Sequence, residues 1–552
     1  MALVTVTISA DSRPMPPEYE LLSLEVTYQV NRIPWARLSI LDGSPATQSF
    51  SISDGAFFEP GAELSIKLRI EGVPDSEASV FQGRVVRHAV EARNNGCLLT
   101  VELKHYALKM SRGRNSRVHS DKSDQQIIAN LIRDNGLAVG KIDATATTHS
   151  ELPQYYCSDW DFLLARAEAN GMLVACQQQH ISARKIVLAG EPKLRCEFGI
   201  SEIYEFAMEI DAQQQYAEIK SIAWDAKTQT LTQASIADNF SLTQSGLDPV
   251  AVARKIGAEV QTLADVVPQE PSSVKAWANA AMVNSRMGML RGRISIPGNA
   301  KLALLDVIEI AGVGKRFNGT TLLTGLSHIV DEQGWRSEIV FGLPLARPRE
   351  DVMAAPAGGQ LPAAGGLQIG VVTAYDDPDK LARIKVKLPL MDDKNGEVWA
   401  RLASPDAGNG RGMVFRPEPG DEVVVGFFNN DPRQAVILGA MFSAKNGQPA
   451  ALEAEHNQHK GFVTRSGIKV CLNDEEKKAS VLIETPNKNK FVLDDAKKIV
   501  QLADQHGNTI SLSAEGIEIK SAKKLILHSA SGDLALEASA NVVIKGSAVD
   551  IQ

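Results

Sequence analysis

The C-terminal stretch Gly516–Gln552 reads GIEIKSAKKLILHSASGDLALEASANVVIKGSAVDIQ. Apolar pairs two residues apart recur along it: Ile517/Ile519, Leu525/Leu527, Leu534/Leu536, Val542/Ile544 and Val549/Ile551. Their first members are separated by 8, 9, 8 and 7 residues. Period two within each unit is the pattern of a strand that buries one face. The connectors are short, small and polar, as tight turns require. A repeat of one strand and one turn is a β-solenoid signature. A meander in an ordinary sheet is the plain alternative; a repeat that holds its length to the chain end weighs against it.

Burying these ten aliphatic side chains is worth about 15–30 kcal/mol at roughly 1.5–3 kcal/mol each. A ribbon of such short strands has little core of its own. It must coil on itself or wind with other copies. A stiff C-terminal rod makes the rest of the chain its base.

The chain has 552 residues, room for about three or four domains. It is 44% hydrophobic and 22% charged, an ordinary soluble composition. A net charge of -8 disfavours nucleic acid and anionic membrane as partners. No apolar run is long enough to span a bilayer. The start, MALVTVTISADSRP, has neither the basic flank nor the apolar core of a signal peptide, so the expectation is synthesis in the cytoplasm. Cys97, Cys157, Cys176, Cys196 and Cys471 are scattered and read as reduced thiols.

Taken in order, residues 1–120 alternate in period two and predict a first barrel-like unit. Residues 121–200 predict an α+β insertion. One helix, SDQQIIANLIRDN, starts at Ser123 with a capping box and stops before Gly136. A second runs from Trp160 to Asn170. The basic run RGRNSR at 112–117 reads as a phosphate contact or, better in an acidic chain, as a solvated loop. Strands return over 201–345 as a second barrel, with helices expected at Val250–Asp265 and Ser273–Arg286. Residues 346–366 read as a Pro/Ala/Gly-rich linker. Residues 367–445 hold five or six short strands, GMVFRPE among them, as in an OB-fold. Residues 446–480 read as a polar neck and 481–552 as the rod.

In this order the chain resembles the VgrG family and, more broadly, the central spike proteins of contractile injection systems, including phage tail-like particles. The resemblance rests on SDWDFLLARAEANGM, on Gly370-Val371-Val372 with Arg383-Ile384-Lys385-Val386, and on Arg416-Pro417-Glu418-Pro419-Gly420-Asp421-Glu422-Val423. Phe427, Phe428, Asp431-Pro432 and Val436-Ile437-Leu438-Gly439 complete it. It implies a mainly β homotrimer: two barrel-like hub domains per chain, an OB-fold collar, and three rods intertwined into a triple-stranded β-helix spike. The implied function is structural: joining baseplate and inner tube to a tip protein and puncturing a target membrane. Effector cargo is a further implied partner. The particle would be built in the bacterial cytoplasm and then fired outward or released.

No catalytic, cofactor-binding or metal site is expected. Asp376/Asp377, Asp392/Asp393 and Asp494/Asp495 resemble acid–base dyads, but each lies in or beside a turn, where Asp serves the backbone. His456 and His459 lack further ligands nearby. Some family members carry a muramidase or an effector domain; the 446–480 neck is too short for one, and none is expected after Gln552. Without a terminal HxH motif, the rod end at Val549, Ile551 and Gln552 is the expected seat of a PAAR-type tip protein. A trimeric β-helical tailspike depolymerase and a passive adhesin fibre are the alternatives.

Overall fold

The computed structural model describes residues 3–73, 76–93, 96–225, 230–241, 246–265, 269–344, 356–388, 396–452 and 456–551. They form two compact units, Met1–Met441 and Phe442–Gln552.

The hub is built on one 13-stranded sheet. Its first half follows from strict alternation. Gly96–Lys104 buries every second residue, Leu99, Val101 and Leu103 among them. Those side chains meet Leu24, Val26, Leu38, Ile66 and Phe81 in one core. The second half has its own core of Ile294, Ile308, Leu323, Ile339 and Phe341. The halves share that sheet. Strand Gly319–Asp331 pairs with Leu21–Gln29, from Gly325 opposite Gln29 to Val330 opposite Leu24, and makes the sheet continuous.

The insertion contains the two expected helices, Asp124–Asp134 and Asp159–Ala169. The Ser123 hydroxyl accepts from the Gln126 amide while the Gln126 side chain accepts from the Ser123 amide, a complete capping box. Ile127, Ile128, Leu131 and Ile132 are buried together with Phe162 and Leu163.

Two expectations about local structure are corrected. Val250–Asp265 is not one helix: Pro249–Lys255 is helical, and Val260–Asp265 is a strand parallel to Glu218–Asp225. Gly257, at φ +82°, breaks the helix between them. In the OB region Met413–Glu418 is not a strand. Its two nearby prolines, Pro417 and Pro419, cannot donate to a ladder. Among the described residues the closed barrel has five strands: Gln368–Ala374, Ile384–Lys387, Glu397–Leu402, Glu422–Phe427 and Ala435–Ala440. Its core includes Val372, Ile384, Val386, Val423, Val425 and Ile437.

Of the stretch read as a linker, residues 345–355 lie outside the described residues. The remainder, from Pro356 onward, is docked: Ala357 and Leu361 are buried in the insertion core and Ala364 in that of the barrel.

Candidate functional site: an uncovered apolar face

The C-terminal unit is a seven-stranded antiparallel meander from His459–Val463 to Gly516–Lys520. Its ladder begins inside the stretch read as a polar neck. The signal that was available there is the alternation in IKVCLN, of which Lys469–Asn473 pairs residue for residue with the strand Ser480–Glu484. The first strand depends on Gly461, at φ +143°: a Cβ there would stand 1.9 Å from the Val470 carbonyl oxygen.

The register aligns two apolar columns. One runs Phe462, Val470, Ile483, Phe491, Leu502, Ile510, Ile519. The other runs Leu472, Val481, Leu493, Val500, Leu512, Ile517. Residues two apart share a face, so both columns lie on one side. The column between them, on the opposite side, reads Gly461, Cys471, Leu482, Val492, Gln501, Ser511, Glu518. That side also carries Glu484, directly opposite Lys469 and Lys490 on the neighbouring strands and 3.5 Å from the ammonium of each. Hydrogen bonding from Lys488, at 2.9 Å, and the surrounding lysines lower the Glu484 pKa. One face is therefore charged or polar along most of its length, while the other is apolar and uncovered along the ladder from its second strand onward, Lys460 standing opposite Leu472 on the first. Phe462, Ile483, Leu502 and Ile510 are all exposed.

Of the ten aliphatics singled out in the sequence, only the first two stand on this face. Ile517 and Ile519 stand in the last laddered strand. Leu525, Leu527, Leu534, Leu536, Val542, Ile544, Val549 and Ile551 lie beyond it. All ten are exposed, from 52% at Ile519 to 87% at Ile551. The strands expected after Lys520 do not form within one chain. Among the described residues no backbone hydrogen bond joins one of these repeat units to another. An antiparallel ladder needs the chain to fold back at each connector, and among the described residues past Lys520 no such hairpin closes. Gln552, expected at the tip seat, lies outside the described residues.

The remaining motifs are structural. Asp377 accepts from the backbone amides of Asp379, Leu381 and Arg383 and from the Arg383 guanidinium. The Arg383 hydrogen bond and those amides hold its carboxyl far below the usual range. Asp494 accepts from the Lys497 amide and ammonium, a turn. Asp392 and Asp393 lie outside the described residues. His459 stands in the first strand of the meander and His456 just before it; among the described residues no three His, Cys, Asp or Glu side chains group as metal ligands. In the run RGRNSR, Arg117 is committed to Asp159 at 2.6 Å and Asp134 at 3.3 Å, and Arg114 lies over the Tyr156 ring.

A continuous β hub, a closed OB barrel and a ladder with one bare apolar face define the hub-and-spike class of protein. Residues 368–442 match the type VI secretion system/phage-baseplate injector OB domain, and residues 480–552 the phage baseplate V C-terminal trimerisation domain. Residues 1–332, more than half of the chain, match the Alg8 N-terminal domain, and the chain belongs to that family. It is similar to the type VI secretion system spike protein VgrG4b of Pseudomonas aeruginosa, 30% identical over 135 residues. It is also similar to the spike protein VgrG3 of Vibrio cholerae, 36% identical over 78 residues. The matches cover 23% and 13% of this chain but only 16% and 8% of those relatives. In fold it is similar to the chain solved in the lidded Francisella PdpA-VgrG complex. That match has a TM-score of 0.55 and 9% identity over 94% of this chain and 80% of the other.

Proposed function

We propose that three copies of this chain form the central spike of a contractile injection system, and that it works by transmitting force. The observation that carries this reading is the bare apolar face of the meander, together with the exposed aliphatic pairs of the unladdered repeats. A soluble monomer rarely leaves so long an apolar surface in water. Three copies turned inward cover it, and past Lys520 strands from neighbouring copies supply the backbone partners that one chain lacks. The match of residues 480–552 to a trimerisation domain supports this assignment. The hub then seats on the baseplate and inner tube. The rod end around Val549 and Ile551 takes a PAAR-type tip protein, and contraction drives the spike outward from a particle assembled in the cytoplasm. Effector cargo is an optional passenger.

Mass measurement of the full chain in solution tests the core of this reading. Three chains per particle are expected; a stable, monodisperse monomer overturns it. A tailspike enzyme is the competing class, and release of sugar from a surface polysaccharide or of fragments from peptidoglycan by the purified protein would favour it.

A further inference from the structure

Within the Met1–Met441 unit, the helical insertion grips the OB barrel at two places. Tyr155, on the insertion strand Thr148–Cys157, is 7% exposed and buried in the barrel's own core, its ring 5.9 Å from that of Phe427. Among the described residues its buried hydroxyl has no hydrogen-bond partner. A buried hydroxyl left unpaired is costly, so the contact is held by the ring.

The second grip is a run of hydrogen bonds through buried polar groups. Arg166, 3% exposed, donates to both oxygens of Asp124 at 2.7 and 2.9 Å, joining the two insertion helices. Its remaining guanidinium nitrogen donates to the Gln360 carbonyl oxygen at 3.0 Å. The Gln360 side chain donates to Gln269 at 3.1 Å, and Gln269 donates to Asp265 at 2.8 Å. Asp265 in turn accepts from Asn429 of the barrel at 3.4 Å. One chain of bonds thus crosses insertion, docked segment, second hub half and barrel. The Asn430 carbonyl also accepts from the Ala364 amide at 2.8 Å.

We propose that the insertion is the joint through which force passes between hub and barrel: Tyr155 plugs the barrel and the bonds from Asp124 to Asn429 lock the plug in place. The covalent connection between hub and barrel is then secondary. A joint of this kind matters for any spike that transmits thrust, but it is read within one chain and does not depend on the trimer.

Hydrogen exchange on the full chain tests it. The double variant Tyr155→Ala/Gln269→Met removes the plug and interrupts the bonds while leaving the buried Asp124–Arg166 pair intact. Amides of the barrel strands Gln368–Ala374 and Glu422–Phe427 should exchange about 10- to 100-fold faster than in the unaltered chain, with the hub strand Trp35–Leu41 unchanged. Tyr155→Phe, which loses only the unpaired hydroxyl, should protect the barrel as well as tyrosine or better. Two outcomes overturn the joint: barrel strands protected as before in the double variant, or hub and barrel losing protection together. As a second measurement, a protease site is placed within residues 345–355. After cleavage, hub and barrel fragments should co-elute from the otherwise native chain and separate in the double variant; separation of both refutes the proposal.

Discussion

At the scale of single residues, three histidines make the hub sensitive to acid. Burial pushes His105, His119 and His328 down to about 4 from an ordinary 6.5, each held neutral in the fold. Between those values the unfolded chain binds protons that the folded chain refuses. Stability is therefore full above pH 6.5 and falls as pH drops toward 4. With three groups acting together the slope reaches about 4 kcal/mol per pH unit, an upper bound. Denaturant melts of the full chain between pH 7 and 4 should show it, and replacing His328 by Gln should make the slope shallower; a pH-independent midpoint across that range contradicts the assignment. The meander turns offer a second residue-scale test. Lys498 sits at φ +54°, where an L side chain is crowded. Lys498→Val should destabilise the unit by about 1–2 kcal/mol, because a β-branched side chain tolerates this conformation least, whereas Lys498→Gly should cost nothing measurable by thermal melting.

At the scale of elements, the aligned columns give the inward face its prediction. Leu527→Asp and Leu536→Asp each set three unpaired carboxylates at one level of an assembled spike. A buried charge without a partner is expensive, and three together also repel. Trimer recovery on a sizing column should collapse for both, while Lys523→Asp, in a connector, should assemble normally. Equal thermal stability for all three variants would refute the face assignment. The same ladder shows how far the sequence could be read. The period-two pairs from Ile517 onward are plain in it. The strands His459–Val463 and Lys469–Asn473 are not, because Gly461 and the flanking lysines dilute the alternation. The helix Asp124–Asp134 is legible to the residue because its cap is written in side chains. Val260–Asp265 reads as helix in the sequence because its parallel partner, Glu218–Asp225, is remote along the chain.

At the scale of the whole molecule, truncation separates the roles of the two units. Ending the chain before Val481 should weaken the trimer, measured as dissociation on dilution, since most of both apolar columns is lost with the spike. Removing only the residues from Ala548 onward should leave the trimer intact and abolish retention of a PAAR-type tip protein in a pull-down. A truncated spike that still holds its tip would place the seat elsewhere.

What the sequence by itself determined were the features carried by local pattern: the alternating strands, the two capped helices, the compact β unit at 367–445, the repeat, and through its motifs the family resemblance. Tertiary structure alone decided what depends on distant partners. It joined the two hub halves into one sheet through Gly319–Asp331 and Leu21–Gln29, and it docked Ala357, Leu361 and Ala364 where composition suggested a free linker. It also set the point, Lys520, at which the strand ladder of one chain ends. The physical reason is common to all three. Strand pairing and burial are settled by what approaches from elsewhere, and periodicity records only that a face must be covered, not by what.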